Sequence, residues 1–301
     1  MKTIVVLGGS GFFGNLIVQR LREAGLQPLV ASRSTGDLRI DANNSDDLRV
    51  YLKQRDLVID AAGPFQTRTP ALIDTAMRVG FDVIDLSDSP DYTAMIYERA
   101  APIGAAGIRV LPACSTLSTV SAIVVKTAAI PEPRRLAVYL RPESRYTANR
   151  GAVESFLQSI VEVAPHGLRV KSVDAVTLPR VFSSLQTIDF VVDSGHSGNF
   201  LLQFASFRRW IRRHQGMAIK IARIIGKREG IVRFEVSTML RRKQLTFRGR
   251  KSYMLAVLPA IQAATAIAAG RFPHRGLVPP TEHVDTTQLY EAARNEGISI
   301  S

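Results

Sequence analysis

Cysteine is almost missing from this chain: Cys114 stands alone among 301 residues. A single thiol excludes an intramolecular disulfide and a multi-cysteine zinc site, and it makes a reducing cytoplasm the expected compartment. Histidine is scarce as well, with five residues and no recognisable ligand pair, so no metal site is expected. Long apolar runs are few. The opening MKTIVVLGG has a Lys and then apolar residues, but it leads into glycines where a leader would have a cleavage site, and it reads as a strand. SYMLAVLPAIQAATAIAAG approaches the length of a membrane span, yet Pro259, Gln262 and its many Ala and Thr point to a buried helix.

Acidic residues are also lacking, but only locally. Residues 1–120 carry 12 Lys+Arg against 13 Asp+Glu, whereas residues 121–250 carry 23 against 9. From 203 to 250 there are 14 basic residues and two acids, Glu229 and Glu235. The net charge of +13 therefore belongs to the middle of the chain and suggests two pieces with different tasks. The rest of the composition, 46% hydrophobic and 22% charged without low-complexity tracts, is that of a soluble globular protein with room for two domains.

What is present at the N-terminus is a pattern. TIVVLG is a β-branched run of the kind buried on both faces, and it enters GGSGFFG directly. Gly9, Gly11 and Gly14 fit G-x-G-x-x-G, while Gly8, Gly11 and Gly14 fit G-x-x-G-x-x-G. NLIVQRLREAG then places Leu16, Ile17, Leu21 and Ala24 on one helical face, with Gly25 at the C-cap position. Strand, glycine loop, helix and second strand together predict a dinucleotide pyrophosphate held at the helix N-terminus, where free N–H groups and the helix dipole favour an anion. Gly8, Gly9, Ser10, Gly11, Phe12, Phe13 and Gly14 are the residues expected to cradle it.

The second strand ends in ASRS. A site for NAD usually offers a carboxylate there to the ribose 2′-hydroxyl. This chain offers Ser32, Arg33 and Ser34, and no acid until Asp37; a planar guanidinium between hydroxyls suits the 2′-phosphate of NADP. The alternation continues through LRI, which ends near Asp41 by the adenine, and DLVIDAAGPF, whose loop Ala61, Ala62, Gly63 and Pro64 is expected to pass under the cofactor. A helix at 68–79, the strand FDVIDL, a helix at 92–106 and the strand IRVLPA complete a predicted six-stranded parallel sheet.

GGSGFFG, ASRS, DLVIDAAGPFQ, VIDLSD and LPACSTLS, in this order and spacing, resemble the saccharopine dehydrogenase-like oxidoreductases, which include saccharopine reductases and trans-acting enoyl reductases. The closing GLVPPTEHVDTTQLYEAARNEGISI is similar to their last segment. The resemblance covers about residues 1–125 and the last 50, and is thin between. It implies a Rossmann domain, an inserted α+β domain that closes over the nicotinamide, and an NADP-type cofactor. CSTLST and LSDSP depart from the family where the substrate side is lined, so no substrate is implied.

The fold class expected is therefore α/β, a Rossmann-type doubly wound parallel sheet with an inserted α+β domain. The expected boundaries are 1–129 for the dinucleotide domain, 130–252 for the insertion and 253–301 for a segment returning to the first domain. In the insertion, RRLAVYLRP, LRVKSVDAVTL, QTIDFVVDSG, GIVRFEVSTML and KQLTFRGRKS read as strands of an antiparallel sheet, the last two joined at Arg241–Arg242. RGAVESFLQSIVEVA reads as an amphipathic helix. Phe200, Phe204, Phe207 and Ile211 recur at helical spacing, followed by Ala218, Ile221 and Ile225, among Arg208, Arg209, Arg212, Arg213, Lys220, Arg223, Lys227 and Arg228. One or two basic amphipathic helices follow from this, for which a solvated face, an anionic membrane contact over 207–228, an acidic partner and a homodimer contact all stay open. No nucleic-acid fold signature accompanies the charge, and nucleic acid is not an expected partner.

The Tyr-x-x-x-Lys acid/base pair of short-chain dehydrogenases is absent. Candidates for catalysis are Cys114 and Ser115 after the sixth strand, and Tyr146 and Arg150, four apart and able to face one pocket. Pro64, Phe65 and Ser87 join them as expected neighbours of the nicotinamide, and His196 lies on a loop after a strand. The function expected is NADP(H)-dependent hydride transfer to or from a C=O, C=N or C=C bond of a small or lipid-like substrate. The alternative is a non-catalytic NADP-binding or membrane-docking protein on the same fold.

Overall fold

The computed structural model describes residues 2–164 and 166–301, with only the backbone of His196, so the His196 side chain considered above lies outside the described residues. The chain forms two compact units. The first comprises residues up to Val120 together with Ala256–Leu289; the second comprises Ser121–Leu255 and Tyr290–Ser301.

In the first unit, six strands run in chain order: β1 (Ile4–Leu7), β2 (Leu29–Ser32), β3 (Leu38–Arg39), β4 (Leu57–Asp60), β5 (Asp82–Asp85) and β6 (Arg109–Leu111). They pair in parallel in the order β6-β5-β4-β1-β2-β3, the arrangement of a doubly wound Rossmann sheet. All four residues of β1, β4 and β5 are buried, which is why these strands are near-continuous apolar runs with no polar alternation. A seventh strand, Gly276–Leu277, adds in parallel to β6 and comes from the C-terminal segment, one more than the six the sequence predicts.

Several boundaries differ from the sequence reading. The helix expected at 92–106 is two, Pro90–Tyr97 and Ala100–Ala106; Pro102 falls in the first turn of the second, where its missing N–H has no intrahelical acceptor to serve. The helix expected at 68–79 begins at Ala71, behind Pro70 and a 3-10 turn at Phe65–Thr67. The apolar segment near 258 is the helix Leu258–Ala268, largely buried, and no described helix is long and apolar enough to cross a membrane.

The second unit holds β7 (Arg135–Arg141), β8 (Ile160–Ala164), β9 (Gly167–Val170), β10 (Thr187–Val192), β11 (Gly230–Ser237) and β12 (Arg242–Gly249). Their order is β12-β11-β7-β10-β9-β8, with the terminal strand Ser299–Ile300 outside β12. The sheet is mixed where an antiparallel one was expected, because β7 and β10 run parallel across a long connection. The predicted helix running to residue 164 stops at Ser159; β-branched Ile160, Val161 and Val163 enter β8 instead, where they suit the pleat. The β11–β12 turn is closed by Thr238 N–H donating to the Arg241 carbonyl, so Arg242 already belongs to β12. The expected C-terminal segment 253–301 divides: Ala256–Leu289 belongs to the first unit, and the last residues pair with β12 in the second.

Period-two alternation gives this second sheet two different faces. Leu136, Val138, Val232, Phe234, Val236 and Phe247 are buried on one, while Arg135, Tyr139, Arg141, Arg233 and Glu235 lie on the other. The basic segment forms three helices, His196–Leu202, Ala205–Arg213 and Gln215–Ile225. The break at Gln203–Phe204 separates the residues read as one stripe. Ile211 is buried and Phe207 packs beside it against Leu157 and Leu168, while Phe200 and Phe204 stay exposed.

A close approach fixes the glycine loop. A Cβ on Gly14 would lie 2.1 Å from the Gly8 carbonyl oxygen, backbone that cannot give way. Gly14→Ala is therefore expected to cost about 3 kcal/mol, the upper range for overpacking. Gly104, exposed in the helix Ala100–Ala106, has nothing within 4 Å of an added Cβ, and Gly104→Ala should stabilise by about 0.5–1 kcal/mol. Denaturant titration of the two variants should show opposite signs.

Candidate functional site

The carboxyl ends of β1, β2 and β4 meet at the glycine loop. Gly8 adopts φ +72°, and a Cβ there would fall 2.7 Å from the Ala61 carbonyl oxygen, so the turn after β1 and the turn after β4 touch through backbone. Of the two glycine readings left open by the sequence, this conformation makes Gly8 the turning residue. Gly8 N–H donates to the Ala31 carbonyl at 2.8 Å, and Gly11 N–H to the Gly8 carbonyl at 2.8 Å. The helix Phe12–Glu23 then starts at Gly11 with no side-chain cap and no acid in its first turn. Ser10 and Gly11 are exposed, Gly9 and Gly14 are buried, and Phe12 and Phe13 meet edge to face at 5.1 Å. An uncapped helix start keeps its N–H groups and positive dipole end available to an anion.

At the end of β2, Arg33 and Ser34 are exposed. Ser32 does less than its position promised: its hydroxyl closes the Ser32–Thr35 turn, bonding the Thr35 carbonyl and accepting from Thr35 N–H at 2.9 Å. Asp37, the first acid after the strand, folds back and accepts from Val30 N–H at 2.8 Å. Asp41 likewise caps its own turn by accepting from Asn43 N–H at 2.9 Å. Ala61, Ala62 and Pro64 are half-buried, Gly63 is exposed, and the Gly63–Pro64 peptide is cis.

Beneath these loops lies an ion pair that the sequence reading missed. Arg68, buried, donates to Asp60 Oδ2 at 2.6 Å and Oδ1 at 3.3 Å, and also to the carbonyls of Ala62 at 3.1 Å and Ala42 at 3.5 Å. It thereby joins the end of β4 to the loop after β3. Burial works against the Arg68 charge, but Asp60, Tyr92 and Asp85 together more than offset it, so the guanidinium stays protonated. Burial also raises the Asp60 carboxyl, opposed by Arg68 and by the Ala62 N–H. One signal was legible: an Arg in a small-residue loop, eight positions after a strand-terminal Asp.

Asp85 ends β5 fully buried. Its Oδ1 accepts from Ser87 N–H at 2.8 Å and Ala113 N–H at 3.1 Å, and its Oδ2 has no partner. Burial pushes this carboxyl up to about 7, against the pull of the two N–H groups. Buried Ser87 and Phe65 lie in the same set of strand-end turns.

The catalytic candidates are divided between the units: Cys114 and Ser115 belong to the first, Tyr146 and Arg150 to the second. Cys114 is fully buried and burial pushes its thiol far above the ordinary range, which leaves it a packing residue. Ser115 donates its hydroxyl to the Ala256 carbonyl at 3.0 Å. Tyr146 and Arg150 fall on separate helices, Ser144–Thr147 and Arg150–Ser159, divided at Ala148–Asn149. Both are exposed. Close to Cys114 in sequence, Thr119 donates to His283 Nδ1 at 2.7 Å while His283 Nε2–H donates to the Val278 carbonyl at 3.1 Å, and burial lowers this imidazole to about 4.

The second unit carries a groove of about 590 Å³ on the polar face of its sheet, which the sequence reading did not find because its residues come from three strands, three loops and a helix. Tyr139 Oη donates to Asp193 Oδ2 at 2.5 Å, and Arg233 lies 5.5 Å over the Tyr139 ring. Burial, then the hydrogen bond to Asp193 and the Asp193 charge, push Tyr139 up to about 12. Burial opposes the Asp193 charge, but Tyr139 Oη, Gly195 N–H and Asn199 Nδ2 hold it below the ordinary range. Arg141, Lys227 and Arg233 also line the groove, and Arg141 Nε is buried with no hydrogen-bond partner.

No family model matches the chain, and no curated protein matches it. Among solved structures, the protein lin1944 from Listeria innocua is 20% identical over 28% of this chain, with a TM-score of 0.22; the chain covers 56% of its length. The WlbA dehydrogenase from Thermus thermophilus, in complex with NAD and alpha-ketoglutarate, is 12% identical over 98% of this chain and 95% of its own, with a TM-score of 0.45. Biliverdin reductase from Synechocystis, in complex with biliverdin and NADP+, is 9% identical over 98% of each chain, with a TM-score of 0.40.

Two measurements check the strand-end electrostatics. Arg68→Ala strands a buried carboxylate and should cost about 3–5 kcal/mol, far more than an exposed arginine would. For Asp85 the folded state favours the proton, so its contribution falls as pH rises from the ordinary carboxylate range to about 7. His283 acts oppositely: its contribution is full above its ordinary value of 6.5 and is lost as pH falls towards about 4. Asp85→Asn keeps an oxygen for both N–H donors and removes the first effect, so the melting temperature of the variant minus that of wild type should grow from pH 5 to pH 8. A difference that does not change with pH would contradict this.

Proposed function

We propose that the chain is an NADP(H)-dependent oxidoreductase whose first unit seats the dinucleotide on the glycine loop, Ser10–Gly14, with the 2′-phosphate at Arg33. The observation that carries this is the pairing of an uncapped helix start with a β2 end where no carboxylate is free. At Gly8 and Gly14 the backbone packs so closely on its own neighbours that no Cβ fits, which holds the exposed Ser10–Gly11 turn at the helix start, where a pyrophosphate would sit. The nicotinamide, when bound, supplies the hydride chemistry on a C=O, C=N or C=C bond. Arg33 and Ser34 would bind the adenosine phosphate, and the turn Ala61–Pro64 would limit the depth of the cofactor. The saccharopine dehydrogenase-like resemblance supports the same reading through its motifs.

For the substrate, the second unit's groove suggests an acidic molecule. Arg141, Lys227 and Arg233 outnumber the carboxylates facing them, since Asp193 is engaged by Tyr139 and Asn199 and Glu235 by Arg242. A carboxylate or phosphate would also give the buried Arg141 Nε a partner. A second reading, a dinucleotide-binding protein without catalysis, is favoured by the sealing of Cys114 and the engagement of Ser115.

NADPH should bind at least about tenfold tighter than NADH, roughly 1.4 kcal/mol. Arg33→Ala should weaken NADPH and leave NADH nearly unchanged, as read by quenching of protein fluorescence. Equal affinities in the wild type contradict the 2′-phosphate assignment. NADPH oxidation with any member of a panel of small keto acids, imines and enoyl acids separates the enzyme from the non-catalytic reading.

A further inference from the structure

The three helices of the basic segment carry apolar side chains of two kinds. Phe207, Trp210 and Ile211 turn inward and pack with Leu157, Leu168 and Leu202, and the ring of Trp210 stacks on Phe207 at 5.7 Å. Met217, Ile221, Ile224 and Ile225 do not. They recur at i, i+4, i+7 and i+8, which places them on one face of Gln215–Ile225, and that face is bare: Ile224 is 70% exposed and Ile225 77%. The opposite face, around buried Ile219, is the one packed inward. At the end of the first helix Phe200, 61% exposed, meets exposed Phe204 edge to face at 5.4 Å. Large apolar side chains gathered outside a folded unit and rimmed by polar ones mark an interaction surface.

The rim identifies the partner. Lys220 lies three residues after Met217 and four before Ile224, beside the stripe, and Arg209, Arg213 and Lys227 are exposed on the same helices or just beyond them. Within the helical segment only Arg212 is in an ion pair, with Glu154 at 3.5 Å, among the described residues. The local excess, 14 basic residues against two acids over 203–250, is a repulsion that folding alone gives no reason to keep. A second copy is a poor occupant, because a two-fold contact sets this cationic face against itself. Nucleic acid would use the charge but has no use for an aliphatic Met–Ile–Ile stripe. An anionic lipid surface uses both: aliphatic side chains enter the boundary between headgroups and acyl chains, and basic ones meet the phosphates.

We propose that the face formed by Met217, Ile221, Ile224 and Ile225, with the basic side chains around it, docks the protein on an anionic membrane surface. The surface belongs wholly to the second unit, so the proposal stands apart from the dinucleotide reading. The test is co-sedimentation of the full chain with vesicles of phosphatidylcholine containing phosphatidylserine, and with vesicles of phosphatidylcholine alone. Binding is expected to the first at low salt, to fade as salt rises, and to be absent on the second. Ile224→Ser with Ile225→Ser, and separately Arg213→Glu with Lys220→Glu, should each lower binding about tenfold or more. Because all four side chains are exposed, the melting temperature should hold. Failure of the wild type to bind phosphatidylserine vesicles at low salt overturns the proposal, as does binding that neither pair of changes reduces. A dimer in solution that the serine changes dissolve, without vesicle binding, assigns the face to a second copy and overturns it equally.

Discussion

The backbone contact between the turn after β1 and the turn after β4 is the constraint on which the first unit's site depends. Gly8 approaches Ala61 so closely that no side chain fits, and Gly14 brings its helix equally close to Gly8. Neither contact is strong. Their effect is geometric, since they fix where the helix begins, at Gly11, with no side-chain cap. The Asp60–Arg68 pair holds the same region from below, because one guanidinium bonds the ends of β4 and the loop after β3 together. Removing the charge of either partner would leave the other buried in the protein interior, which is costly, so the pair keeps the loops in register whatever its net contribution to stability.

Much of this first unit was legible in the sequence because its signals are local. β1, β4 and β5 are short apolar runs, the glycines follow one strand, and Gly25 and Gly80 end helices where a left-handed residue belongs. The seventh strand was not legible, since Gly276–Leu277 becomes a strand only by pairing with β6, more than 160 residues earlier. Arg33 was read from its position alone, whereas the engagement of Asp37 with Val30 and of Ser32 with Thr35 is visible only in three dimensions.

The second unit was less legible for a physical reason. Its strands are contiguous in sequence but its sheet is not, and β7 pairs in parallel with β10 across about 45 residues. Ile160–Ala164 continues a helical apolar pattern and still becomes a strand, because β-branched residues next to β9 gain more from pairing than from another helical turn. The groove residues Tyr139, Arg141, Asp193 and Arg233 lie far apart along the chain and follow no spacing rule. Burial, likewise, decides against Cys114 and sequence does not reveal it, since a thiol after the sixth strand reads the same whether sealed or open.

The central claim is that a phosphorylated dinucleotide lies across the ends of β1, β2 and β4, against the start of the first helix. Amide hydrogen exchange with and without NADPH tests it most directly. Slowed exchange should concentrate at Ser10–Gly14, at Arg33–Gly36 and at Ala61–Gly63, with the interior of β5 unchanged. Protection that leaves Ser10–Gly14 unaffected, in the presence of saturating NADPH, would contradict it.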